Sequence, residues 1–189
     1  DLYQFHGGSD ELFDTAGLWD MLRDQVRAGK VRHLGISISK TYEGTHQIDT
    51  ASDLGARAVQ VVYNRLDRRP EDYTFNGCLE QDLGVLARVP LASGFLTGKY
   101  NRDSEFSESD VRGVWFNRQQ RSEIIEQVNQ IRQEVPDGVP MAQWALAWPL
   151  QHPAVTCVIP GCKSVEQIRA NASAADLQMV PSDHPQATT

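Results

Sequence analysis

The residues best equipped for chemistry lie in one short run near the C-terminus, Val158-Ile159-Pro160-Gly161-Cys162-Lys163-Ser164. Residues 155–159 read as a buried strand, Pro160-Gly161 as a sharp turn, and Ser164 as the start of a helix. Ser164 and Gln167 have the spacing of a capping box, in which each side chain satisfies a backbone N–H that the first helical turn leaves without a partner. The amides of Gly161, Cys162 and Lys163 then converge in front of the helix, whose dipole adds positive potential. Lys163 adds a cation. The chemistry predicted at this corner is capture of a small anion.

The elements that must position this corner recur along the chain. Residues 1–5 read as a strand running into His6-Gly7-Gly8, followed by a helix with Leu18, Leu22 and Val26 on one face and Gly29 at its end. Residues 31–37 form the next strand, then a shorter helix around Ile48, Ala51 and Leu54 closed by Gly55. Residues 58–63 are rich in β-branched side chains and form the third strand. The helix after it holds Cys78, Leu79 and Leu83 and is predicted to stop at Gly84. Residues 85–91 are the fourth strand. The polar stretch 101–117 reads as an excursion loop, in which Trp115 is expected to pack on helices rather than to wall a site. A periodic helix follows with Ile124, Ile125, Val128, Ile131 and Val135, and Pro140 opens another with Trp144, Leu146 and Trp148 on its apolar face. Residues 178–189 are a polar, proline-bearing tail.

Short apolar strands alternating with amphipathic helices imply an α/β fold with a parallel sheet. An open doubly wound sheet and a segment of a (β/α)8 barrel both fit that rhythm. In either, ligand groups belong at the C-terminal ends of the strands, which here carry His6, Ser37, Ser39, Tyr63, Asn64, Ser93, Gly161 and Lys163.

The 189 residues suffice for one domain with its own core, and 18 basic against 25 acidic residues give a net charge of −7. With no basic stripe, a nucleic-acid partner is not expected. No apolar run approaches the roughly 20 residues that cross a bilayer. The charged, polar start is unlike a signal peptide, and Cys78, Cys157 and Cys162 show no metal-ligand spacing, so a cytoplasmic protein with ordinary buried thiols and no metal is expected. The chain opens at Asp1 inside a strand without an initiator methionine, as a processed protein or a part of something longer would.

Taken together, the strand ends resemble the aldo-keto reductases. The resemblance is carried by DLYQFH (1–6), GKVRHLGIS (29–37), VQVVYN (59–64), PLASGFLTGK (90–99) and IPG (159–161) with its sequel to Asn171, and it covers essentially the whole chain. It implies strands 4 to 8 of a (β/α)8 TIM barrel over residues 1–177, followed by the tail. It also implies NADP(H)-dependent reduction of aldehydes or ketones, with NAD(H) as the alternative cofactor and a small carbonyl compound as substrate.

On that resemblance His6 is the histidine that orients the substrate carbonyl. Ser37 and Gln60 hold the nicotinamide carboxamide, with Ile38 standing where the family often has asparagine. Arg88 stands where many members stack a tyrosine on the nicotinamide. Pro90, Leu91, Ser93, Gly94, Leu96, Gly98 and Lys99 run along the pyrophosphate. Gly161, Cys162, Lys163, Ser164, Gln167 and Asn171 match the adenosine and 2′-phosphate end, and because Gln167 replaces a frequent arginine, Lys163 is the expected cation. The family's catalytic aspartate, tyrosine and lysine have no counterpart here. Asp14-Thr15-Ala16 only looks like the aspartate motif, and none of Tyr3, Tyr42, Tyr63, Tyr73 or Tyr100 qualifies as the acid. The chain alone is therefore expected to be inactive, and a non-catalytic nucleotide-binding or interaction module, self-associating through exposed barrel edges, is the alternative.

Overall fold

Each of the five apolar runs forms a strand in the computed structural model, which describes residues 1–39 and 45–187. Tyr42 lies outside the described residues. The strands are β1 (Leu2–His6), β2 (His33–Ser37), β3 (Ala56–Val62), β4 (Gly84–Arg88) and β5 (Val155–Ile159). They form one parallel sheet in the order β1-β2-β3-β4-β5, each strand beside its neighbour in sequence. No reversal of order occurs among them, so the crevice of a doubly wound sheet is missing and that architecture is set aside.

The described residues fall into two compact units. The first, Asp1–Tyr63 with Asp67–Arg88 and His152–Ile159, contains the whole sheet together with α1 (Asp10–Phe13), α2 (Leu18–Arg27), α3 (Thr45–Asp49) and α4 (Thr74–Glu80). Because side chains alternate along a strand, the sheet has two unlike faces. One carries Leu34, Ile36, Val59, Val61, Val85 and Ala87, all buried, and the helices add Phe13, Trp19, Leu22, Ile48, Phe75 and Cys78 to the core. Phe13 meets the Phe5 ring at 5.3 Å and the Trp19 ring at 5.0 Å, both edge-on, and Trp19 Nε1 donates to the Phe13 carbonyl over 2.9 Å. This cluster ties the first helical turns to β1.

The other face bears Gln4, His6, Ser37, Gln60, Leu86 and Arg88 and is polar toward its C-terminal edge. Gly35 sits within it at the register shift between β2 and β3. A Cβ there would lie 2.9 Å from the Ala58 carbonyl oxygen, so only glycine lets the two strands pair this closely.

The helix stop at Gly29 is as expected, with φ of +71°, whereas the helix expected to run to Gly55 ends at Asp49, and Gly55, at φ +90°, follows a run of turns before β3. Gly84 is not a helix stop either. It opens β4, and the left-handed residue after α4 is Asp82, at φ 54°. Aspartate tolerates that conformation better than most side chains do. β4 also ends at Arg88 rather than at residue 91, because Val89 turns to φ 55° and leaves the extended region.

The second unit comprises Asn64–Leu66, Val89–Gln151 and Pro160–Thr189 and holds α5 (Val111–Trp115), α6 (Arg118–Ile131), α7 (Met141–Leu150) and α8 (Val165–Ala172). Its core joins Phe95 and Leu96 to Ile125, Val128 and Ile131 of α6 and to Met141, Trp144 and Ala145 of α7. Asn117 and Gln120 cap α6 reciprocally. α7 is buried nearly all round, Ala145, Leu146 and Ala147 included, where a single apolar face was expected. The 101–117 stretch contains α5, and Trp115, expected against the helices, is 63% exposed. In the tail Val180 is buried.

Gly35→Ala should destabilise the protein by about 1–3 kcal/mol, since the clash falls on backbone that cannot rotate away. Urea unfolding should show a lower midpoint at unchanged slope.

Candidate cofactor site and active site

At the C-terminal edge of the sheet three polar residues stand in one row. His6 pairs in register with Ser37, and Ser37 with Gln60, so all three side chains leave the same face of adjacent strands. Gln60 Nε2 donates to Ser37 Oγ over a long 3.4 Å. Ser37 is buried, Gln60 half-buried and His6 exposed. The backbone fixes the row: Gly7 N–H donates to the Ser37 carbonyl at 3.0 Å and Ile38 N–H to the Gln60 carbonyl at 2.9 Å. Hydroxyl and amide together present both donors and an acceptor, the complement of a primary carboxamide. Arg88 shares this face, bonds the Ile38 carbonyl through Nη2 at 3.4 Å, and keeps a buried Nε with no hydrogen-bond partner among the described residues.

In the second unit the loop from Val89 to Lys99 is held in an unusual conformation. Val89, Ala92 and Ser93 have φ of 55°, 47° and 56°, and Gly94 has 92°. A β-branched residue at positive φ is strained, and such strain persists only where surrounding contacts over-determine it. Asn64 supplies them: its Nδ2 donates to the Val89 carbonyl at 3.0 Å and its Oδ1 accepts the Leu66 N–H at 2.9 Å. Three of the loop's amides are already engaged within it: Ala92 N–H donates to the Val89 carbonyl at 2.9 Å, and Gly94 and Leu96 N–H to the Leu91 carbonyl at 2.8 and 3.1 Å.

Not every residue assigned to this loop faces outward. Leu96 is fully buried in the core and Pro90 is buried. Gly98 serves packing, since a Cβ there would lie 2.6 Å from both Arg132 Nη2 and Met141 Sδ, and Arg132 donates to its carbonyl. Leu91, Ser93 and Gly94 are half-buried, and Lys99 is exposed with its Nζ 4.9 Å from the Tyr100 ring centre. Arg112, which the sequence reading missed, brings Nη1 to 3.4 Å from where a Gly94 Cβ would be and stacks on Tyr100 and Phe106. An arginine in a polar loop carries no local signal that could have found it.

At the Gly161–Asn171 corner, Gly161, Cys162, Lys163, Ser164 and Gln167 are exposed and Asn171 is half-buried. Ser164 Oγ accepts the Gln167 N–H at 3.2 Å as expected, but Gln167 Oε1 takes the Lys163 N–H, at 2.7 Å. The expected reciprocal cap is thus displaced by one residue, and one of the three amides assigned to an anion is already engaged. Glu166 occupies the same first turn. Its own backbone N–H and the Ser164 hydroxyl hold its carboxyl below the usual range, so an incoming anion meets a carboxylate there.

Most of the remaining reactive groups are engaged, buried or turned away from the strand-tip row. Asp14 caps the end of α1 and both its oxygens lie 2.9 Å from His46 Nε2, which raises the His46 pKa. Tyr3 leaves the opposite face of β1 from His6, Tyr63 donates to Glu71 at 2.7 Å, Tyr73 donates to Asp49, and Tyr100 packs against Phe95 and Phe106. Burial pushes the Cys78 thiol up to about 12, whereas Cys162, expected to be buried, is exposed. Among the described residues no group of three or more His, Cys, Asp or Glu could hold a metal ion, and no helix is long and apolar enough to cross a membrane.

A sequence profile described as "Aldo/keto reductase family" matches residues 1–188. Curated relatives include the "Uncharacterized oxidoreductase YrpG" of Bacillus subtilis, 28% identical over 95% of this chain and 54% of its own length. "Aldo-keto reductase yakc [NADP(+)]" of Schizosaccharomyces pombe is 28% identical over 95% and 53%, and the "NADH-specific methylglyoxal reductase" of Escherichia coli 26% over 97% and 56%. The chain spans about half the length of these relatives. Among solved structures, the holo form of aldo-keto reductase AKR11C1 from Bacillus halodurans aligns with a TM-score of 0.72 and 24% identity, over 99% of this chain and 59% of that one.

Asn64→Ala should cost about 1–3 kcal/mol, because it removes two hydrogen bonds from a buried site and releases the Val89 turn. Thermal unfolding of the purified variant measures it. His46 should titrate above its ordinary pKa of 6.5, so its bond to Asp14 is strongest at acid pH and fades as pH rises through the raised value. An NMR titration should show that midpoint returning toward 6.5 in Asp14→Asn.

Proposed function

The chain belongs to the aldo/keto reductase family, and from that premise we propose that it forms strands 4 to 8, with their helices, of a (β/α)8 barrel that reduces aldehydes or ketones with NADP(H). The observation that carries this reading is the row His6, Ser37, Gln60 at the C-terminal tips of three adjacent strands. When bound, the nucleotide supplies a hydride equivalent to the carbonyl carbon. Ser37 and Gln60 orient the carboxamide of the ring, and the exposed His6 imidazole directs the carbonyl oxygen by a hydrogen bond. The buried Arg88 Nε fits a ligand that brings an acceptor, since a buried donor left unpaired costs free energy.

In the second unit, Leu91, Ser93, Gly94 and Lys99 serve the pyrophosphate, Pro90 and Leu96 only through backbone, and Gly98 by holding the loop's shape. Gly161, Cys162, Ser164, Gln167 and Asn171 line the adenosine end, and the exposed Lys163 ammonium is the cation for a 2′-phosphate. The names of the relatives include both an NADP(+) and an NADH enzyme, so family membership alone leaves the choice open. Lys163 tips it toward NADP(H).

A second reading is favoured by the tyrosines. None of those described in the sheet unit shares a face with His6 free of another partner, so the residues at hand bind and orient but do not protonate. On this reading the 189-residue protein is a nucleotide-binding module.

The 189-residue protein should quench or enhance NADPH fluorescence on binding, and Gln60→Ala should weaken that binding about tenfold, the worth of one hydrogen bond. Lys163→Ala should weaken NADPH but leave NADH unchanged. With a generic aldehyde no NADPH oxidation is expected; turnover abolished by His6→Ala would refute the non-catalytic reading.

A further inference from the structure

Arg88 closes β4, and its Nη2 donates to the carbonyl of Ile38, the residue after β2. β3 lies between those strands. A side chain rooted on β4 and bonded to the residue after β2 must therefore cross the end of β3, at Val62, two residues beyond Gln60 and its neighbour Ser37 on the same face. Among the described residues the Arg88 guanidinium has no ion-pair partner, and its Nε is buried with no hydrogen bond. A delocalised positive charge, without an ion-pair partner among the described residues, thus lies across the strand ends just beyond the pair that complements a carboxamide.

Such a charge distinguishes the two redox forms of a nicotinamide. The oxidised ring carries a formal positive charge and the reduced ring none, while phosphates, riboses and adenine are identical in both. In a partly desolvated site two like charges a few ångströms apart repel appreciably. We propose that Arg88 discriminates between the redox states of the nucleotide, holding the reduced form more tightly than the oxidised form and biasing the site toward carbonyl reduction and release of the oxidised product. The inference rests on the reading of Ser37 and Gln60 as the carboxamide site. It assigns Arg88 an electrostatic task that stacking alone does not require.

The ratio of dissociation constants for NADP+ and NADPH isolates this effect, because every contact to the shared part of the nucleotide cancels. Calorimetric titration of the 189-residue protein should give a ratio of about tenfold or more in favour of NADPH. Arg88→Gln, which keeps hydrogen-bonding capacity without charge, should bring the ratio close to one, whereas Arg88→Lys should keep it above about threefold. Far-UV circular dichroism checks that each variant is folded. A wild-type ratio of one or less overturns the proposal without any variant. A ratio unchanged in Arg88→Gln, or equally lost in Arg88→Lys, overturns it while leaving nucleotide binding intact. Failure of the folded wild-type protein to bind either nucleotide overturns this inference together with the reading beneath it.

Discussion

Strand register is the constraint on which the rest of this molecule depends. Side chains alternate across a strand with a period of two, so a slip of one residue would send His6, Ser37 or Gln60 to the helix-covered face and bury a polar group among Val59, Ile36 and Phe13. The apolar side of each strand enforces the register. The polar row at the tips is held in place by the burial of its immediate neighbours. Gly35 is part of the same device, since the β2–β3 irregularity brings the Ala58 carbonyl to where any side chain would sit.

The loop of the second unit is shaped differently. No ladder supports Val89 to Gly94, and four residues in succession or near it take left-handed backbone angles. A buried asparagine compensates, with both ends of its amide engaged. Arg132 and Met141 close the other end against Gly98, where a side chain has no room. The loop is therefore specified by contacts to the helical core; Gly94 and Gly98 both take left-handed angles, and at Gly98 a side chain would also meet Arg132 and Met141.

Charge placement adds a further layer. Glu166 at the start of α8 and the Lys163–Gln167 bond make the anion corner less positive than its sequence implies. The Arg88 guanidinium, without an ion-pair partner among the described residues, makes the sheet edge more positive than a strand-terminal arginine would if it simply reached solvent. Both effects come from which neighbour a polar group finds, and each alters what kind of ligand group the position favours.

What the sequence by itself determined was the local and the periodic. Five apolar runs, the helices between them and the stop at Gly29 could be read because strand and helix periods and backbone preferences act over a few residues. The strand-tip residues were legible for the same reason: His6 follows its run, and Ser37 and Gln60 lie within the last residues of theirs. Only tertiary structure decided that Gly84 begins a strand, that Leu96 and Gly98 belong to packing, that Trp115 is exposed, and that Asp14 answers to His46, 32 residues away. It also decided that Arg88 reaches Ile38, 50 residues earlier in the chain. These depend on which distant atoms arrive beside a group once the core has formed, and nothing in the neighbouring residues encodes that.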